Sequence, residues 1–221
     1  MLDNIDAAPP GQRGIATGNG PEDFIRKANF EAFTKAHSQG LELPPYNNWS
    51  RTRAEWGLGS FDGPDGNVNL SSQAALLNRH PMHGNTTTAH LIGRVNDLKE
   101  PNAAINLGVE MIDGKPKKTS SACHAVLVTK LDKDGRPVSY QLADLGSTNG
   151  TSFDGVEIPP YTLQNVVPAR INSSGKVESG YTVIHFGGKK AYAVLAIPPG
   201  YQHHGFRNQD IAFSLFEVES P

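Results

Sequence analysis

From about residue 86 the chain is a series of β-branched and aromatic runs separated by turn signals. TTTAHLIG, HAVLVTKL (124–131), VSYQLADL (138–145), YTVIHFG (181–187), KAYAVLAI (190–197) and IAFSLFEV (211–218) each read as a strand. LDKDGRP, between the second and third runs, is a hairpin signal, because Asp134-Gly135 tolerates the positive φ values of a tight turn. Several antiparallel strands at this spacing predict a sandwich or a barrel. Strands do not alternate with long helical stretches, which disfavours an α/β nucleotide-binding fold.

The first third follows other patterns. Residues 1–20 are small, polar and rich in Gly and Pro, and read as disordered. Residues 21–39 predict a helix: Pro21 suits the first position, Glu22 and Asp23 sit in the first turn, and Phe24, Ile25, Ala28, Ala32, Phe33 and Ala36 mark one apolar face. Gly40 is the expected stop. LELPPYNNW is extended, since residues before proline avoid the helical region. Tyr46, Trp49, Trp56 and Phe61 are candidates for packing that segment onto a sheet, and SSQAALLN (71–78) for a short helix.

Composition narrows the class. The 221 residues suffice for one domain with a flank, and Gly (23) and Pro (16) exceed ordinary usage, as a protein of short strands and many turns requires. Lys+Arg 20 against Asp+Glu 22 gives a net charge of -2, without the basic patch that nucleic-acid binding needs. No stretch approaches the roughly 18 apolar residues of a membrane span. The first residues lack the basic start and apolar stretch of a secretory signal. The single Cys123 excludes an internal disulfide framework and suggests a reducing compartment. The expectation is a cytoplasmic protein with no cofactor, no nucleic-acid partner and no membrane partner.

Three pieces then stand in order: Ile92-Gly93-Arg94 closing a strand, Ser121-Ala122-Cys123-His124 opening the next, and Asp144-Leu145-Gly146-Ser147-Thr148-Asn149-Gly150-Thr151 followed by Phe153-Asp154-Gly155. Together they resemble the forkhead-associated (FHA) domain, whose pattern is Gly-Arg, then Ser-x-x-His, then Asp-x-x-Ser-x-Asn-Gly-Thr and a second Asn-Gly turn. YTVIHFGGKKAYAVLAI also resembles the family's closing hairpin. The resemblance covers roughly residues 86–197. It implies an all-β fold, an antiparallel β-sandwich of about eleven strands, here with a helical N-terminal accessory segment at 21–85 and a C-terminal strand extension at 198–221.

The resemblance further implies binding of phosphothreonine in an extended peptide, and so partners that are substrates of Ser/Thr kinases. A phosphate with nearly two negative charges needs a fixed cation and several donors. Arg94 would supply the cation with its planar fork, and Ser121 and Thr148 the hydroxyl donors. Asn149 would bond the peptide backbone. Ser120 and Ser147 are additional candidate contacts. His124 would brace the loops, and Gly93, Gly150 and Gly155 would permit tight turns. The sequence departs from the pattern at Ala122, where a polar or basic residue is common, and at Asp154, where Asn is usual. Long insertions stand between Arg94 and Ser121 and at about 159–179. Lys115, Lys117 and Lys118 in the first of these would add positive potential.

Other constellations carry less. His80 and His83 flank a proline with no further ligand cluster nearby, and His203-His204 reads as a surface pair. Asp132-Lys133-Asp134-Gly135 lacks the distal ligands of a calcium loop. Cys123 and His124 are neighbours on a strand and point to opposite faces, a poor geometry for a catalytic pair. The expectation is therefore a non-catalytic adaptor with no metal site. The alternatives are an FHA-like scaffold or secretion-system component that binds without phosphate, and a bacterial effector that intercepts phosphoproteins in a host cell.

Overall fold

The computed structural model describes residues 21–50, 60–69, 87–94, 103–133, 136–198, 202–203, 206–207 and 212–219. Residues 1–20, Trp56, the 71–78 segment, His80, His83, the Asp134-Gly135 turn and His204 lie outside them.

The Ala125–Leu131 strand explains why the apolar runs are continuous. Successive side chains point to opposite faces, and both faces are buried. Ala125 and Leu127 enter one core with Ile92, Leu142, Ile184 and Phe213. Val126 and Val128 enter another with Ala89, Leu91, Ala143 and Leu145. A strand covered on both sides reads as an unbroken apolar run. This strand is central to a five-stranded sheet ordered Gln164–Val166, Pro137–Asp144, Ala125–Leu131, Thr87–Gly93, Ile105–Asn106.

The second sheet has eight strands. Its path runs Val156–Glu157, Thr151–Phe153, Ile184–Phe186, Ala191–Ile197, Ala212–Val218, Ser60–Phe61, Val68–Asn69, with Ala169–Arg170 pairing Ala191–Ile197 off that path. Tyr192, Val194, Phe213 and Leu215 face the first sheet across the shared core. The alternate residues Ala193, Leu195 and Phe216 face outward, where Phe61, Val68, Ala169, Ile171 and Val177 cover them. The second half of the insertion at about 159–179 thus caps the outer face of this sheet, while Gln164–Val166 in its first half is an edge strand of the five-stranded sheet.

The result is the expected all-β sandwich with a helical N-terminal segment. Its sheets are mixed, because three strand pairings among the described residues are parallel: Ser60–Phe61 with Ala212–Val218, Ala169–Arg170 with Ala191–Ile197, and Ile105–Asn106 with Thr87–Gly93. The Ala212–Val218 strand pairs antiparallel with Ala191–Ile197 along seven rows, from Ala191↔Val218 to Ile197↔Ala212.

The helix spans Pro21–Ser38. Ile25, Ala28, Ala32 and Ala36 form its buried stripe at helical spacing. Ala28, Ala32 and Ala36 lie on the outer face of the five-stranded sheet, and their small side chains allow close approach. The helix ends as expected at Gly40: Leu41 N–H reaches the Ala36 carbonyl at 3.1 Å and Gly40 N–H the His37 carbonyl at 3.0 Å. The following segment fastens it down. The Tyr46 hydroxyl donates to the Arg26 carbonyl at 2.8 Å, the Trp49 indole to the Pro44 carbonyl at 3.1 Å, and Ser50 N–H to the Ala89 carbonyl at 2.8 Å. Among the described residues no helix is long and apolar enough to cross a membrane.

Candidate functional site

Three loops meet at one end of the sandwich, and backbone geometry brings them together. The Thr87–Gly93 strand ends where Arg94 N–H donates to the Ser121 carbonyl at 3.0 Å. A Cβ on Gly93 would lie 1.8 Å from the Ala122 carbonyl oxygen, so the two loops approach as closely as only glycine allows. The Arg94 guanidinium donates through Nη1 to the Ser120 carbonyl, which aims the cation at the loop carrying Ser121. The Ser121 hydroxyl in turn accepts from Thr148 N–H at 3.1 Å. Asn149 Nδ2 donates to the Thr119 carbonyl at 2.7 Å. Arg94, Ser121, Thr148 and Asn149 are therefore linked by contacts across all three loops. Thr148 and Asn149 are exposed, Arg94 and Ser121 half-buried.

Beneath them lies a buried polar network. His124 is fully buried and stacks edge-on to Phe186, with ring centroids 5.4 Å apart. Its Nδ1 accepts from Ser121 N–H at 3.0 Å, so the ring proton sits on Nε2, 3.1 Å from the Gly150 carbonyl and 3.2 Å from Thr151 Oγ1. Burial pushes the His124 pKa down, outweighing the Asp144 carboxylate and the Gly150 carbonyl, and keeps the ring neutral. Asp144 gathers the third loop. It accepts from Ser147 N–H at 2.8 Å, from the Ser147 hydroxyl at 2.7 Å and from the Thr151 hydroxyl at 2.6 Å. The Ser147 hydroxyl proton is thus directed inward, and Ser120 is itself buried. The turn at Asp154-Gly155 has φ values of 49° and 83°, as a two-residue hairpin requires, and Asp154 Oδ1 accepts from Val183 N–H at 2.9 Å.

The insertion before Ser121 contains structure of its own. Glu110–Ile112 and Lys115–Lys117 form a hairpin around Asp113-Gly114, at φ 53° and 71°. Lys115, Lys117 and Lys118 are exposed on it. Glu110, by contrast, is buried, and its Oε1 accepts from Lys189 N–H at 2.9 Å and Lys190 N–H at 3.1 Å. Its Oε2 has no hydrogen-bond partner among the described residues and lines a small hollow with Thr119, Ser120, Gly188 and Tyr192.

Glu110 is not among the site residues expected from sequence, and Asp144 opens the third motif without a role assigned to it, although Asp-x-x-Ser is the spacing of a side chain that accepts from a turn three residues on. Glu110 left no such signal, because its amide partners lie 79 and 80 residues away. Cys123 packs toward the helix-covered face and His124 toward Phe186, on opposite sides of the strand. Among the described residues no group of three or more His, Cys, Asp or Glu side chains is placed to hold a metal ion.

The sandwich thus joins three polar loops at one end, braced from below by a neutral histidine and a carboxylate. The FHA domain model matches residues 90–167 of the chain, and FHA domains are phosphopeptide-binding protein-interaction modules that are generally non-enzymatic. Among solved structures the chain is similar to the yeast Pml1 splicing factor, described with its integration into the RES complex. The identity is 20%, the match covers 61% of this chain and 64% of that chain, and the TM-score is 0.29. No curated protein matches the chain.

Proposed function

We propose that the chain is an adaptor that binds phosphothreonine in extended segments of Ser/Thr-kinase substrates, in the cytoplasm, without a catalytic step. Arg94 pairs with the phosphate, Ser121 and Thr148 donate hydroxyl bonds to it, and Asn149 bonds the peptide backbone. The exposed lysines of the neighbouring hairpin contribute at the margin. The observation that supports this reading most is the Arg94 guanidinium bonded to the Ser120 carbonyl: it ties a cation to the loop whose next residue, Ser121, accepts from Thr148 N–H through its hydroxyl. A fixed cation beside neutral donors suits an anion with three acceptor oxygens.

Paired phosphorylated and unphosphorylated peptides, selected from a degenerate phosphothreonine library, test it by calorimetry. Wild type is expected to bind the phosphorylated member only. Arg94→Ala is expected to weaken that binding at least about tenfold, from the roughly 1.5–3 kcal/mol of a charge-assisted hydrogen bond. Equal binding of both members would replace this reading with a phosphate-independent scaffold.

A further inference from the structure

Two of the three recognition loops are rooted beneath the N-terminal helix. Leu145 begins the loop that carries Thr148, and it is buried in the cluster formed by Ala28, Ala32, Ala36 and Trp49. Cys123 packs against the same cluster from the loop that carries Ser121. Glu31 and Lys35 lie close enough to act electrostatically on its thiol, so the polar edge of the helix reaches this loop as well.

Lys35 makes the contact direct. Its Nζ donates to the Leu145 carbonyl at 3.0 Å. The same ammonium stands 5.8 Å from the centre of the Tyr161 ring. Tyr161 N–H donates to the Asp144 carbonyl at 2.8 Å, and its hydroxyl lies 2.3 Å from where a Cβ on Gly146 would fall. The Leu145 N–H is bonded to the His124 carbonyl at 2.9 Å. The loop root is thus held on one side by the sandwich and on the other by a residue of the helix.

We propose that the N-terminal helix is part of the recognition machinery, and that Lys35 is a positioning residue which fixes the Leu145–Asn149 loop, and with it Thr148 and Asn149, against the Ser121 loop. Lys35 lies outside residues 90–167, so this role belongs to this chain and not to the matched FHA segment. The Leu145 carbonyl lies just past the end of the Pro137–Asp144 strand and needs a donor from elsewhere. Taking that donor from a docked helix instead of from water orders the loop before any ligand arrives. A preordered loop binds more tightly because less freedom is lost on binding. The consequence for affinity rests on the phosphopeptide reading above; the ordering of the loop does not.

Lys35→Met keeps the stem and removes the donor, and Lys35→Arg restores a donor and the charge. Amide hydrogen exchange of the full, unliganded chain is measured at Ser147 and Thr148, with Leu127 as a core reference. Lys35→Met is expected to speed exchange at Ser147 and Thr148 about fivefold, the scale of one hydrogen bond. Leu127 stays unchanged, and Lys35→Arg returns near to wild type. Phosphothreonine-peptide affinity should fall about two- to fivefold in Lys35→Met and recover in Lys35→Arg. Unchanged exchange at both loop amides, equal acceleration in the two variants, or acceleration that includes Leu127 would each overturn the proposal. Faster loop exchange with no peptide bound by any variant would uphold the positioning role and overturn the phosphopeptide reading instead.

Discussion

The recognition loops have a base and a rim, and the two are built differently. At the base, His124, Asp144 and Thr151 are buried and spend their polar atoms on one another and on backbone. At the rim, Thr148 and Asn149 are exposed, and Thr148 is tied to its neighbour through its backbone amide, not through its side chain. The base is an internal hydrogen-bond network that fixes where the loops stand. The rim leaves the Thr148 side chain exposed on a loop the base has already fixed, while Asn149 Nδ2 ties that loop to the Thr119 carbonyl. Substitutions at the base should therefore register as stability, and substitutions at the rim as affinity.

The sharpest break of that comparison is Asp144→Ala. It strands the Ser147 amide and hydroxyl and the Thr151 hydroxyl, and removes the carboxylate 3.6 Å from His124 Nε2. Each buried donor left without an acceptor costs about 1–3 kcal/mol, and a loss of about 3–5 kcal/mol is expected overall. Denaturant unfolding measures it. A loss below about 1 kcal/mol would mean that water reaches the base and that base and rim are not distinct.

Base and rim come from the same short stretches of sequence. The loops were legible because their residues form local motifs, Gly93-Arg94, Ser121-x-x-His124 and Asp144-x-x-Ser147-Thr148-Asn149-Gly150-Thr151, which supply both regions. The long strands were legible because their faces are buried, and the helix because its apolar stripe and Gly40 stop are local. What escaped is long-range or very short. The two-residue strand Ser60–Phe61 has no period to detect, yet it pairs with Ser60↔Glu217 and Phe61↔Val218 at the far end of the chain. The Glu110–Lys117 hairpin was hidden by its lysines and proline, although Asp113-Gly114 carries the same turn chemistry as Asp154-Gly155. Lys35 looks like any exposed helix lysine until the fold brings it to Leu145.

Acidification separates base from rim a second way. His90 is buried on the core side of the Thr87–Gly93 strand, edge-on to Phe213, and its Nε2 lies 3.4 Å from the Thr88 hydroxyl. Its Nδ1 has no hydrogen-bond partner among the described residues. Burial lowers its pKa from 6.5 to about 4. Above pH 6.5 neither the folded nor the unfolded chain protonates it, and its stability contribution is complete. Between pH 6.5 and about 4 the unfolded chain takes up the proton and the folded chain does not, so stability falls as pH falls, by about 3 kcal/mol once pH drops below 4. His124 is shifted the same way and adds to the loss. Melting temperatures at pH 7.5 and pH 4.5 should differ by several degrees, and His90→Leu should narrow the gap. A melting temperature that is flat across this range would place both imidazoles in contact with water.

The smallest expected change in stability belongs to the rim, at Thr148. Its side chain is exposed, and its link to Ser121 runs through the backbone amide that any residue keeps. Thr148→Ala should therefore alter unfolding free energy by no more than about 0.5 kcal/mol, the scale of an ordinary surface substitution. If the hydroxyl meets a phosphate, the same variant should bind a phosphothreonine peptide about tenfold more weakly, and Thr148→Ser should restore most of the loss. The combination carries the information: intact folding with impaired binding assigns Thr148 to ligand recognition. Intact folding with intact binding would leave Arg94 and Ser121 as the phosphate contacts. It would also confine the Leu145–Asn149 loop to holding the peptide backbone through Asn149.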